Sequence, residues 1–202
     1  ITFKEAKSTP IGINVLAGKP KLGANEAPPI FLELQVDKHS AYINEQVLVS
    51  LRLYHQGNLA SGELTSPDPD NAIVEQLGEQ AKYTRMKFNR RYEVIERNYL
   101  LFPQKSGTLT ISPQTFTGTL IDPRARQRKF AKEVTEAKTL EIKPQPKTFT
   151  GGNWLPATSV LLNENWSENI EKITVGESVT RALTLQTLGL LGSALPSFNI
   201  DE

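Results

Sequence analysis

The residues able to do chemistry are few. His39 and His55 are the only imidazoles, and there is no cysteine. A hydrolytic triad needs a nucleophilic hydroxyl, an imidazole and an acid that orients it. His39 falls in the turn segment Asp37-Lys38-His39-Ser40, and His55 closes an apolar run beside Gln56-Gly57-Asn58. Both are expected to be exposed polar residues. The absence of cysteine excludes disulfides, thiolate zinc sites, iron–sulfur ligation and a thiol nucleophile. Asp68-Pro69-Asp70-Asn71 gathers oxygens of the kind calcium takes, but it lacks the glycine and closing glutamate of an EF-hand. An Asx/Pro turn is the expected reading there. Glycoside hydrolysis needs two facing carboxylates. Glu93 and Glu96 are three apart on a predicted strand and so point to opposite sides, and Glu75 and Glu79 add nothing. Gly151-Gly152 lacks the lysine, hydroxyl residue and helix of a phosphate loop. No catalytic residue, metal or cofactor is expected, and the chain is read as a non-enzyme.

Charge and aromatic side chains offer more. The sequence carries 23 basic and 22 acidic residues, a net charge of +1, so it has no global attraction for nucleic acid or anionic lipid. Within that balance Arg124, Arg126, Arg128, Lys129 and Lys132 follow Asp122-Pro123. The run is predicted at the tip of a long hairpin. There it would meet an acidic partner or a lipid head group, or would simply be solvated and discourage edge pairing. Nucleic acid is not expected, because only Phe130 accompanies the run and single strands need a stacking platform. Trp154 and Trp166 are the other candidate contacts. Exposed, they would bind a sugar or a partner; packed, they would fill an interdomain contact or a core.

These residues must be held by strands. Residues 30–36 and 47–54 are patterned with period two, with Val47, Val49, Leu51 and Leu53 on one side and Ser50, Arg52 and Tyr54 on the other. Further strands are predicted over 83–88, 92–101, 108–111, 115–121 and 137–143, with a turn at Asn89-Arg90 and a loop over 60–72. Residues 74–86 carry a faint helical pattern, which Gly78 and the strand preference of Tyr83-Thr84 outweigh. Many short strands with turns between them predict a two-sheet sandwich. Pro-rich stretches near Lys19-Pro20 to Pro28-Pro29, and at Lys143-Pro144-Gln145-Pro146, divide the chain. Tyr42-Ile43-Asn44-Glu45-Gln46-Val47 and Ile173-Thr174-Val175-Gly176-Glu177-Ser178-Val179 form a weak repeat, each a Gly/Asn-Glu turn leading into a strand. The expected fold is all-β, as tandem immunoglobulin-like β-sandwich domains. Residues 1–24 are read as the closing strands of a preceding domain and 28–145 as a complete sandwich. Residues 146–202 are read as the N-terminal part of a further domain that is incomplete. Because the chain starts at Ile1 and stops at Asp201-Glu202, it is read as a segment of a longer protein.

At this point the sequence resembles the BatD family, the envelope proteins of aerotolerance operons. The likeness is carried by the run from Tyr42 to Tyr54, the run from Tyr92 to Gly107, and Phe149 to Ala157 followed by Trp166 and Val175-Gly176-Glu177. Gly189 to Pro196 adds a fourth stretch. Asn44 stands where the family usually has glycine. The resemblance implies a periplasmic protein with Ig-like domains and a C-terminal membrane helix that this segment lacks. It further implies von Willebrand A-domain membrane proteins of the same operon as partners. It supplies no catalytic residues. The expected function is a non-catalytic interaction or scaffold segment linked to aerotolerance or envelope stress. The alternative is a carbohydrate-binding or adhesive Ig-like module of a bacterial surface protein.

Overall fold

The computed structural model describes residues 2, 3, 6, 7, 27–121, 127–167, 172, 174–176 and 178–197. The architecture is all-β and immunoglobulin-like. The strands are β1 (Thr2–Phe3), β2 (Ala6–Lys7), β3 (Ile30–Val36), β4 (Ser40–Tyr42), β5 (Val47–His55), β6 (Asn58–Leu64) and β7 (Ala72–Lys87). They continue with β8 (Arg90–Pro103), β9 (Gly107–Ile111), β10 (Thr115–Ile121), β11 (Arg128–Val134), β12 (Lys138–Lys143), β13 (Ser159–Trp166) and β14 (Arg181–Leu188).

One sheet of the sandwich has the order β3-β5-β8-β7. Opposite it lie β11-β10-β6 and β4-β12-β9. These two three-stranded pieces are one sheet with a bend. Thr115 faces Val134 in one piece and Ile111 faces Lys138 in the other. Four residues separate the two levels on each strand, so the register passes unbroken from β9–β12 into β10–β11. Pro113 interrupts the ladder at the bend. Gln114 and Thr135, both buried, satisfy each other there: Gln114 N–H donates to Thr135 Oγ1 at 2.9 Å, and Thr135 N–H to Gln114 O at 2.9 Å. Read as long bent strands, the layers match the ABED and CFG sheets of an immunoglobulin sandwich. The chain changes sheet between β3 and β4, and β4 then runs parallel to the end of β12, with Glu141 opposite Ser40. Asp37 holds this crossing, its N–H donating to Leu48 O and its Oδ1 accepting from Leu48 N–H, both at 3.0 Å.

The alternation in β5 sets the core. Val47, Val49, Leu51 and Leu53 are buried against Leu109, Ile111, Leu140 and Ile142 in one half and against Phe116 and Leu120 in the other. At full burial each such side chain contributes about 1.5–3 kcal/mol. Gly62 and Gly118 face each other in the β6–β10 ladder, and the Phe116 ring lies across both. A Cβ at Gly118 would stand 2.5 Å from both Phe116 Cζ and Ser61 O, so no larger residue fits without movement.

Several sequence expectations change. The predicted loop over 60–72 is shorter, because β6 runs on to Leu64 and β7 begins at Ala72. Residues 74–86 are strand throughout, with an irregularity between Leu77 and Ala81 where Gly78 has φ +67°. The turn sits one residue earlier than predicted, at Phe88-Asn89, both in the left-handed region (φ 50° and 56°). Two successive positive φ values match the right-handed strand twist, as in a type I′ hairpin. Asn44 and Gly176, the paired positions of the weak repeat, both take positive φ (65° and 101°). The predicted closing strands over 1–24 include β1 and β2 and otherwise lie outside the described residues. Among the described residues no helix is long and apolar enough to cross a membrane.

Candidate interaction surfaces

Part of the basic run, predicted at a hairpin tip, lies on a strand. Arg124 and Arg126 lie outside the described residues, while Arg128, Lys129 and Lys132 stand on β11 itself. The polar sequence hides a strand because β11 needs few apolar residues: it lies at the margin of the sheet and buries only one side. Ala131 packs on the core from that side. Arg128, Phe130, Lys132 and Val134 alternate onto the other side, where they stand opposite Ile121, Thr119, Thr117 and Thr115. Phe130 is 74% exposed and Val134 43%. None of Arg128, Lys129 and Lys132 takes an ion pair or a side-chain hydrogen bond among the described residues. The result is an exposed row that reads cation, aromatic, cation, apolar.

The outer face of the four-stranded sheet is the opposite case. Arg52 Nε donates to Glu96 Oε2 at 2.8 Å and its Nη1 to Gln35 Oε1 at 2.8 Å. Tyr83 also donates to Glu96. Glu33 accepts from Tyr54 at 2.9 Å and from Lys87 at 2.7 Å. Lys87 Nζ also sits 4.9 Å from the Tyr54 ring centroid, within reach of a cation–π attraction. Phe31 stacks on Tyr54 at 4.4 Å, and Tyr92 meets both rings edge-on. Burial works against ionising Glu33, yet the Lys87 and Tyr54 hydrogen bonds outweigh it and hold the carboxyl below its ordinary value. Burial likewise opposes ionisation of Glu96, and Arg52 and Tyr83 reverse it. Burial, reinforced by the Glu33 carboxylate, pushes the Tyr54 phenol up to about 12. These charges are consumed within the protein. Sequence reading missed the network because its members lie up to 54 positions apart; only the outward parity of Arg52 and Tyr54 hinted at it.

His39 is exposed, as expected, but His55 is not: it is 3% exposed. Its Nδ1 lies 3.0 Å from Gly57 O, and its Nε2 lies 3.8 Å from Glu93 Oε2, too far for a hydrogen bond. A strand-end position suggested exposure; packing between the sheets covers it. Asp68 and Asp70 are exposed, and no group of three metal-ligating side chains occurs among the described residues. Trp154 is half-buried, edge-on to Tyr42 at 5.5 Å and to Phe149 at 5.1 Å, and its buried Nε1 has no hydrogen-bond partner among the described residues. It therefore joins residues on either side of the second Pro-rich stretch. Trp166 is 40% exposed at the end of β13, with the Arg181 guanidinium 5.3 Å from its ring. Among the described residues the ring contacts of the two tryptophans are with Tyr42, Phe149 and Arg181, not with each other or with the cations of β11.

A family model described as the BatD DUF11 like domain matches residues 34–142. The chain belongs to the BatD family. The matched stretch runs from Leu34 in β3 to Ile142 in β12, so the BatD domain coincides with the sandwich and contains β11. The resemblances at 149–157 and 189–196 lie beyond it. No curated protein matches the sequence.

Proposed function

We propose that this BatD-family chain is a non-catalytic interaction segment of a bacterial envelope protein, working in the periplasm by protein–protein contacts. In this reading 28–145 is a complete sandwich, flanked by the end of one domain and the start of another. A membrane helix elsewhere in the full-length protein anchors it, and its role is in aerotolerance or envelope stress. The partners are the von Willebrand A-domain membrane proteins of the same operon.

The observation that carries the reading is the outer side of β11. Unlike the charges of the four-stranded sheet, its cations have no partner among the described residues, and they flank an aromatic ring that is 74% exposed. Exposed aromatic and arginine side chains are the residues that most often anchor interfaces. The exposed Trp166 is the feature that favours a glycan-binding role instead.

The test is capture from detergent-solubilised bacterial membranes, at low and high salt, by this chain and by a variant with Arg128→Ser, Lys129→Ser and Lys132→Ser. Salt-sensitive capture of von Willebrand A-domain proteins, lost in the variant, is expected. Equal capture by the variant removes β11 from the interface. Capture of glycans or cell-wall fragments in place of those proteins moves the role to the tryptophans.

A further inference from the structure

The partner's local structure follows from where β11 sits. The chain uses the outer edge of the β11–β12 strand itself, since β4 pairs in parallel with Glu141, Ile142 and Lys143 along it. That pairing ends at Glu141. Beyond it, β11 pairs with β10 among the described strands, and no described strand pairs with its other edge, although β3 of the facing sheet passes close beside β11. All seven residues of β11 pair with β10 in unbroken register. The open edge is therefore straight and regular, with no bulge to turn a second strand away. Its charge decides what is turned away instead. Cations on an edge repel a like-charged strand, a second copy of β11 included, and admit an acidic one.

We infer that β11 takes up an acidic, extended segment of the partner protein as an added strand. This rests on β11 being the contact face. Directly opposed side chains on one sheet face interact, and opposite charges there are favourable. The outward row Arg128, Phe130, Lys132 then calls for an acid, an apolar residue and an acid at every second position of the incoming strand. That order reads the same in both directions, so it holds for parallel and antiparallel pairing. The backbone of Arg128–Val134 supplies affinity and the outward row supplies selection, the division of labour of strand-addition complexes.

The experiment is selection of a phage-displayed library of random dodecapeptides on the whole chain. Hydrogen–deuterium exchange with the best synthetic peptide follows. Enriched sequences are expected to carry acids two residues either side of an apolar residue, and bound peptide to protect β11 amides at least about fivefold, since pairing removes them from solvent. Phe130→Ala is expected to weaken the peptide about tenfold, the size of an anchor lost from an interface. Arg128→Glu with Lys132→Glu should select basic peptides instead. All of these residues are exposed, so the fold is kept, and each variant's thermal unfolding checks it. Absence of enrichment, or enrichment without the period-two acids, overturns the inference. Acidic peptides that bind without protecting β11 amides also overturn strand addition, but they leave β11 standing as the contact face. If capture from membranes is untouched by the serine variant, it is the contact-face reading that has failed.

Discussion

The two outer faces of the sandwich spend their charge differently. On the four-stranded sheet, Glu33, Arg52, Lys87 and Glu96 bond one another, a glutamine and two tyrosines across four strands. On β11, Arg128, Lys129 and Lys132 face water beside Phe130. Equal types of side chain thus do opposite work. A charge satisfied inside the protein contributes to its stability and is withdrawn from recognition. A charge left open adds little to folding and remains available to a partner.

That contrast is open to attack from both sides, and the largest effect is expected on the four-stranded sheet. Arg52 and Glu96 have side chains only 15% and 14% exposed. Arg52→Ala leaves Glu96 without its cation, and a loss of about 3 kcal/mol in urea denaturation is expected, the lower end for breaking a buried pair. The triple serine variant of β11 should differ from the parent by no more than about 0.5 kcal/mol per site, as for ordinary surface positions. Comparable losses in the two variants would erase the distinction.

Next in size is the frame that carries β11. Gly118→Ala puts a methyl against Ser61 O and the Phe116 ring, and about 2 kcal/mol of overpacking cost is expected, as for an added carbon in a filled core. Peptide binding at β11 should weaken in step with unfolding and no further, which a titration below the melting range would check.

The paired face should also shape the pH dependence of stability. Glu33 and Glu96 have folded pKa values below their ordinary 4.5. Their stabilisation is present above that value and is lost as pH falls through the lower folded values. Tyr54 is raised from 10.0 to about 12, so its contribution is present below pH 10 and is lost as pH rises toward 12. Replacing both acids, Glu33→Gln with Glu96→Gln, should flatten the acid limb of a thermal unfolding series, and Tyr54→Phe the alkaline limb. An acid limb unchanged by the double variant would mean that other carboxylates govern it. The smallest effect is expected at Asn44, whose φ is 65°. Asn44→Gly should shift stability by only a few tenths of a kcal/mol, whereas Asn44→Val should lose about 1–2 kcal/mol to left-handed strain.

Reading β5 from the sequence succeeded because one strand carries its whole burial pattern in every second residue. The same rule failed for β11, where a strand at the margin of the sheet shows mostly polar residues and Arg128 to Lys132 looked like part of a hairpin tip. It failed for His55 too, since nothing local says which strand ends another layer will cover. The candidate surface was legible as a composition, five cations near one phenylalanine. Its arrangement was not, because the alternation of Arg128, Phe130 and Lys132 matters only once they are known to lie on a strand.

Sequence alone therefore determined the all-β class, the family likeness, the inward row of β5 and the absence of thiol chemistry. Each of these follows from residue types and from a periodicity of two. Only the tertiary structure decided which charges are consumed and which remain open. Lys87 meets Glu33, and Arg52 meets Glu96, across strands that are distant in the chain. Among the described strands, the outer edge of β11 is unpaired where the parallel pairing of β4 ends at Glu141.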